Sequence, residues 1–392
     1  MPDRTLLSRR GFLAAGQGLV LGAALAKPSL LWAAAPGDRR LVIIVLRGAL
    51  DGMDMLRPYG DPLWSQLRPT LASKEGAPLE LAPGFALHPT MEGLYPLWQR
   101  GELAFAPAVA TPYRDHRSHF DGQDILENGT ATAADKDDGW LNRALGALPQ
   151  SHPKGYAVAI GGDRMLLLQG AEPALFWSPR NDLNSASRTN SLLAELYDGD
   201  PLFSRALSGA QEADVLGDQV RDSLTSGRAS PEAAAQLAAE MLKGDARLAA
   251  LSLGGWDTHS GQKSRLAKQL KVLANGVLAL RDSLGERLWE QTLVMTMTEF
   301  GRTLAENGTR GTDHGTASVT LLAGGALRGG RLFGTWPGIG ESDLYAGRDL
   351  MPTQDIRLYP AWALHAGYGI PRGALEREIF PGLQMGSDPG LT

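Results

Sequence analysis

The chain has 392 residues, 43% of them hydrophobic, enough for one large α/β domain or two smaller ones. With 38 basic and 43 acidic residues the net charge is -5, which gives no electrostatic footprint for nucleic acid and argues against such a role. Cysteine is absent, which excludes disulfides, thiolate metal sites, a cysteine nucleophile and a formylglycine made from cysteine. Any metal must use oxygen and nitrogen ligands.

The chain opens on a targeting pattern. Ser8-Arg9-Arg10-Gly11-Phe12-Leu13 precedes an apolar Gly/Ala-rich run, and Ala33-Ala34-Ala35 supplies a small-residue cleavage site. This reads as a twin-arginine signal over residues 1–35, implying the twin-arginine translocase as a partner and a periplasmic or extracellular destination. Gln17, Lys27 and Pro28 break the run, so no stable membrane span is expected after cleavage. The remainder, 36–392, is expected to be a single α/β domain.

Leu41 to Leu46 is a continuous apolar run, the pattern of a strand buried on both faces of a parallel sheet. It leads to Asp51-Gly52, where Asp51 reads either as a metal ligand at a strand end or as half of a turn dipeptide, with Asp54 as a nearby substitute. His88 to Arg100 predicts an amphipathic helix in which His88 caps or packs, and Glu102 to Ala110 a strand. After it comes Tyr113-Arg114-Asp115-His116-Arg117-Ser118-His119-Phe120-Asp121, with a helix expected from about Ser118 to Leu126. Ser118 at a helix start is either a nucleophile among free backbone N–H groups or a plain N-cap.

A polar loop from Asp135 leads to a helix near Leu148, and Tyr156–Ile160 and Met165–Leu168 read as short strands joined at Gly162-Asp163. Residues 190–245, charged, Ala-rich and punctuated by Asp200-Pro201 and Ser230-Pro231, predict a helical layer over the sheet. Arg247 to Leu253 is a second buried strand, followed by Gly254-Gly255-Trp256-Asp257-Thr258-His259. Residues i and i+2 of an extended segment point the same way, so Asp257 and His259 can grip one ion; the alternative is a Gly-Gly loop with a capping Asp. Leu266, Leu270, Leu273, Val277, Leu280 and Leu284 mark a long amphipathic helix.

Leu293 to Thr298 has the β-branched, apolar content of a central strand and stops at Glu299. A Gly/Thr-rich loop then carries Asp313-His314-Gly315. Ligands collect outside the carboxyl ends of strands in open α/β sheets, and a carboxylate with an Asp-His pair suits a divalent ion, Zn or Mn first, with Ca or Mg also open. Ala317–Ala323 predicts a strand, Gly324–Gly334 a hairpin and Asp355–Tyr368 a final helix with His365 packed or exposed. The glycines at 324–334 lack the Gly-Lys-Ser/Thr end of a P-loop, and no dinucleotide fingerprint follows the first strand.

Four marks occur in order: Leu-Arg-Gly-x-x-Asp-Gly at 46–52, Arg-Ser-His-Phe-Asp at 117–121, Gly-Gly-Trp-Asp-Thr-His at 254–259, and Thr-Glu-Phe-Gly-Arg-Thr with Thr-Asp-His-Gly at 298–303 and 312–315. Together they resemble a bacterial domain-of-unknown-function family of twin-arginine-exported proteins, itself similar to a branch of the alkaline phosphatase and sulfatase superfamily. That resemblance implies a large, mixed, mostly parallel sheet sandwiched by helices, with two metal positions. It implies Asp51, Asp257, His259, Glu299, His314 and Asp313 as metal ligands, Ser118 as nucleophile and His119 or His116 handling protons. It departs from the superfamily at Glu299-Phe300-Gly301, where Asp-His-Gly usually stands, and it lacks the Ser-x-Pro-x-Arg pattern of serine-type sulfatases. The implied function is a metal-dependent hydrolase of a small-molecule phosphate or sulfate ester, with Ser118 or a metal-bound water attacking. The alternative is a non-catalytic exported binding or assembly protein with a vestigial or structural metal site.

Overall fold

The buried strands assemble as their composition dictates. In the computed structural model, which describes residues 38–392 apart from 73–76, 115, 134, 150–151, 153–154, 162–164 and 178–229, an eight-stranded sheet runs through the molecule. Its strands are β1 (Arg40–Leu46), β2 (Leu103–Ala110), β3 (Ala157–Ile160), β4 (Leu175–Trp177), β5 (Leu248–Leu253), β6 (Thr292–Met297), β7 (Ser318–Ala323) and β8 (Gln354–Asp355). Their order is β8-β2-β7-β6-β1-β5-β3-β4. The pairs β1–β5, β1–β6, β3–β5, β3–β4 and β2–β8 are parallel; β7 alone runs against its neighbours β2 and β6. The result is a large, mixed, mostly parallel α/β sheet.

Strand β1 shows why its run is apolar at every position. Successive side chains alternate between faces, and each set meets a different core. Val42, Ile44 and Leu46 pack with the buried residues of α3 (Pro231–Lys243) and α4 (Gln262–Leu284). Leu41, Ile43 and Val45 pack on the other face with α1 (His119–Asn128), α2 (Trp140–Gly146) and α5 (Leu358–Tyr368). Along α4 the residues with the expected spacing, Leu266, Leu270, Leu273, Val277, Leu280 and Leu284, are all buried. Each such side chain contributes about 1.5–3 kcal/mol of burial, so truncating one to alanine is expected to cost about 2–5 kcal/mol.

The parallel register sets where the chemistry collects. Leu46 is level with Leu253 on β5, and Val45 with Met297 on β6, so the loops carrying Gly48, Asp257 and Glu299 leave the sheet side by side. Antiparallel β7 starts at that same edge, which brings His314 in from the preceding loop. On β2 the ladder slips by one residue opposite Ser318 and Val319, and Ala108, in the slip, has φ 57. This bulge precedes the segment that carries His119.

Three expected elements come out differently. Met165–Leu168 is not a strand: Leu166–Leu168 form a 3-10 turn whose leucines are buried and whose Leu167 amide donates to Glu127 at 3.0 Å. Gly324–Gly334 does not form a hairpin, because the Gly329, Gly330 and Phe333 amides donate to carbonyls of residues 101, 103 and 105 along β2. Helix α5 is not the last element; short helical turns follow at Arg372–Ala374 and Leu375–Ile379. The twin-arginine segment, Gly162-Asp163 and the helical layer before Ser230 lie outside the described residues, and of 190–245 α3 is the described helix. No helix among the described residues is long and apolar enough to cross a membrane.

His88 is a cap and a buried group at once. Its Nδ1 accepts from the Thr90 amide at 3.2 Å at the start of the 3-10 turn Pro89–Leu94, and burial pushes its imidazole down to about 3 from 6.5. The folded state therefore needs the neutral ring. The stabilisation is complete above pH 6.5 and is lost as the pH falls from there towards 3, by up to about 1.4 kcal/mol per unit. His88→Asn keeps a cap acceptor without the titration. Chemical denaturation at pH 7 and pH 5 should show a shallower acid loss for the variant than for the wild type; parallel losses would refute the assignment.

Candidate metal centre

Side chains from two loops and one helix start converge at the edge of the sheet. His119, the first residue of α1, points its Nε2 at His314 Nε2, 3.0 Å away. His259 Nε2 stands 3.0 Å from the same atom. Asp257 Oδ1 lies 3.0 Å from His259 Nε2 and 3.3 Å from His314 Nε2, while its Oδ2 is 3.5 Å from His119 Nε2. Ligand atoms held 2.0–2.1 Å from a tetrahedral ion are about 3.3 Å apart, and the spacings among His119, His314 and Asp257 are of that size. The candidate ligating atoms of His119, Asp257 and His314 all fall within 4.8 Å of one another.

The outer nitrogens decide the tautomers. His119 Nδ1 faces Glu299 Oε1 at 2.8 Å, His259 Nδ1 faces Asp313 Oδ1 at 3.3 Å, and His314 Nδ1 faces the Arg117 carbonyl at 3.0 Å. All three partners are acceptors, so in the neutral ring each Nδ1 carries the hydrogen and each Nε2 presents a lone pair to the centre. Facing lone pairs 3.0 Å apart repel unless a cation lies between them. One proton can satisfy one such pair but not three rings and a carboxylate. A carboxylate or carbonyl behind each imidazole is the arrangement that orients histidine ligands.

Glu299, expected among the ligands, stands behind one instead. It is fully buried, and its Oε1 takes hydrogen bonds from the Gly48 amide at 2.8 Å, the Gln123 amide at 3.1 Å and His119. Burial opposes its ionisation most strongly, yet those donors together hold the carboxyl below its usual range. The same hydrogen bond raises His119 above the ordinary imidazole value, whereas burial lowers His314. For Asp257, partial burial is outweighed by Arg302, which donates to Oδ1 at 2.7 Å and keeps the carboxyl low.

Asp51 lies apart from this cluster. It is wholly buried, ion-paired to Arg68 at 2.5 Å and hydrogen-bonded to Gln262, and its Oδ1 has no partner. Arg68 supplies in covalent form the positive charge that a metal would have brought. Asp313 backs His259 and accepts from Asn307 at 3.0 Å, so it too stands outside the inner group. Ser118 is the N-cap of α1; its hydroxyl faces the Asp121 amide at 3.5 Å and its own amide donates to Tyr113 at 2.9 Å.

Packing holds the rings. Phe300, which is buried, lies 5.1 Å from the His119 ring at an interplanar angle of 27° and 5.1 Å from the His314 ring. Gly48 has φ 117, and a Cβ there would come within 2.6 Å of the Asp257 amide nitrogen, so only glycine lets this loop both donate to Glu299 and pass Asp257. Along α1, residues 119, 123 and 127 share one face. Gln123 joins Glu299 to Arg47, whose guanidinium is 2.8 Å from Gln123 and 2.7 Å from Glu127. Of the candidates read from the sequence, the structure brings Asp257, His259 and His314 together. Sequence reasoning found no sign of Arg302, Gln123 or the Arg117 carbonyl, and placed His119 in proton handling.

The fold and this cluster define an α/β protein with a histidine-rich, metal-type centre at the carboxyl edge of its sheet. The chain belongs to the family described as protein of unknown function (DUF1501), whose model matches residues 99–359. No curated protein matches the sequence. Among solved structures, the lipoteichoic acid synthase LtaP from Listeria monocytogenes is 11% identical, with 88% of this chain and 76% of that one covered and a TM-score of 0.39. A protein in the alkaline phosphatase superfamily from Vibrio parahaemolyticus is 12% identical over 89% and 72%, with a TM-score of 0.36. The alkaline phosphatase from the Antarctic bacterium TAB5 is 11% identical over 73% and 91%, again at 0.36.

Two substitutions separate ligand from neighbour. Glu299→Gln should weaken metal binding about 10- to 100-fold in chelator competition, because His119 loses its orienting carboxylate. Asp51→Asn should leave metal affinity within about twofold while destabilising the fold by about 3–5 kcal/mol, because Arg68 is left buried and unpaired. A large loss of metal in the Asp51 variant would place Asp51 back among the ligands.

Proposed function

We propose that this protein is an exported, single-metal hydrolase of small-molecule phosphate or sulfate esters. The observation that carries the metal reading is the convergence of the His119 and His314 Nε2 atoms and the Asp257 carboxylate, with His259 against the last two and every Nδ1 committed elsewhere. Imidazole-rich ligation favours Zn over Mn, and either over Ca or Mg. Bound there, a divalent ion would polarise the ester oxygen and acidify water. The ester class rests on the order of the four motifs.

The chain's own groups then have distinct tasks. His119, Asp257 and His314 would hold the ion, with His259 beside Asp257 and His314, and Glu299, Asp313 and the Arg117 carbonyl fix the three rings. Ser118, next to His119, is the nucleophile candidate, and the first turn of α1 offers amides to an anionic oxygen. Asp257 and His259 have side-chain exposures of 43% and 46%, so a substrate can reach the centre from solvent. Ser8-Arg9-Arg10 and Ala33-Ala34-Ala35 support passage through the twin-arginine translocase to the periplasm or beyond.

A second reading keeps the ion and drops the reaction: an exported binding or assembly protein with a structural metal. It is favoured by the arginines, since Arg302 holds Asp257 and Arg68 takes up the charge of Asp51.

Elemental analysis should find about one equivalent of metal in the wild type and none in Asp257→Ala/His259→Ala. Screening aryl phosphates, phosphodiesters and aryl sulfates with Zn, Mn, Mg and Ca should reveal turnover with at least one pair. Stoichiometric metal without any turnover would shift the assignment to the binding protein, and a metal-free wild type that takes up no ion would end both.

A further inference from the structure

Two guanidinium groups border His314 and have no part in holding the ion. Arg117 lends its carbonyl to His314 Nδ1, and Arg348 donates from Nη2 to the His314 carbonyl. Both side chains then reach one buried carboxylate, Asp349: Arg117 Nη2 lies 3.5 Å from Oδ2 and Arg348 Nε 3.4 Å from Oδ1. These separations exceed the roughly 2.7–2.9 Å of a charge-assisted hydrogen bond. The Thr316 hydroxyl already takes Oδ2 at 2.9 Å, and Oδ1 accepts no hydrogen bond.

One carboxylate thus faces two cations and saturates neither. The Arg117 and Arg348 side chains are 38% and 37% exposed, and each guanidinium is a planar fork of N–H donors shaped for a carboxylate, phosphate or sulfate. The exposed acid near them, Asp313, is engaged by His259 and Asn307. Arg117 also has φ 53, a left-handed conformation that is costly for a residue with a side chain. Strain of this kind persists where a backbone position is over-determined by its surroundings, and here the carbonyl must meet a ligand histidine while the side chain turns to Asp349.

We infer that Arg117 and Arg348 form an anion subsite beside the metal centre. It selects esters that carry a second anionic group, a carboxylate, phosphate or sulfate, over those whose far end is neutral. The inference rests on the ester-hydrolase reading and narrows its substrate class to esters that bear at least one further anionic group.

Propylphosphonate and 3-phosphonopropionate separate the two ends of the site, because the second replaces a terminal methyl by a carboxylate on the same three-carbon scaffold. Calorimetric titration of the Zn-loaded protein at fixed ionic strength should show 3-phosphonopropionate binding about 10-fold tighter, the size expected of two partly exposed guanidiniums acting together. Arg117→Gln/Arg348→Gln should abolish that preference with metal content unchanged. Should the double variant lose metal, the single Arg117→Gln, whose carbonyl still serves His314, carries the comparison and should show a reduced preference. Equal binding of the two phosphonates by the wild type, or a preference that survives the substitutions, overturns the subsite and leaves the hydrolase reading standing. Binding of neither phosphonate by the Zn-loaded protein removes both.

Discussion

Imidazole lone pairs and one carboxylate set against one another, in His119, Asp257 and His314 with His259 at their side, form the constraint around which the sheet edge is built. Left without a positive charge, such a group would push its members apart. The surrounding structure resists this at every member: an acceptor behind each ring, Phe300 beside two of them, and Arg302 on Asp257. The arrangement is therefore held in place by its own surroundings. Its weak point is His259, the most exposed ring, whose carboxylate partner Asp313 is itself at the surface.

The sheet makes this possible by simple register. Parallel β1, β5 and β6 end level with one another, and β2 delivers α1 to the same edge, so residues from positions 48 to 314 meet without long excursions. The buried polar groups behind the cluster are chained together. Glu127, Arg47 and Gln123 lead to Glu299, while Asp51, Gln262 and Thr312 lead to Arg302. Such chains fix side-chain orientation because every member's geometry depends on its neighbours.

Much of this was readable from residue order. The β1 run, the α4 heptad-like leucines and the Asp-x-His after β5 are local patterns in which period or spacing already implies direction. What escaped had a different physical origin. Asp51 looked like a ligand because a strand-end acid has no visible counter-charge in sequence, and Arg68, its partner, lies 17 residues away across a helix and a turn. His119 became a candidate ligand only once β2 and the loop before α1 set the helix start against Glu299. The Arg117 carbonyl is a backbone group, invisible to any reading by side chain. The apolar 165–168 segment became a 3-10 turn because Glu127 claimed the Leu167 amide, a contact across 40 residues.

The slip at Ala108 has a consequence for how this protein can change. A strand's side chains alternate with a period of two, so one extra residue inverts the face of everything after it. Removing that residue would exchange the inward and outward positions of Val109 and Ala110, the last two residues of β2. The end of β2 therefore leaves the sheet in a direction that the extra residue sets. Substitutions there are open to selection, but a single insertion or deletion between Pro107 and Ala110 changes which way the strand end faces.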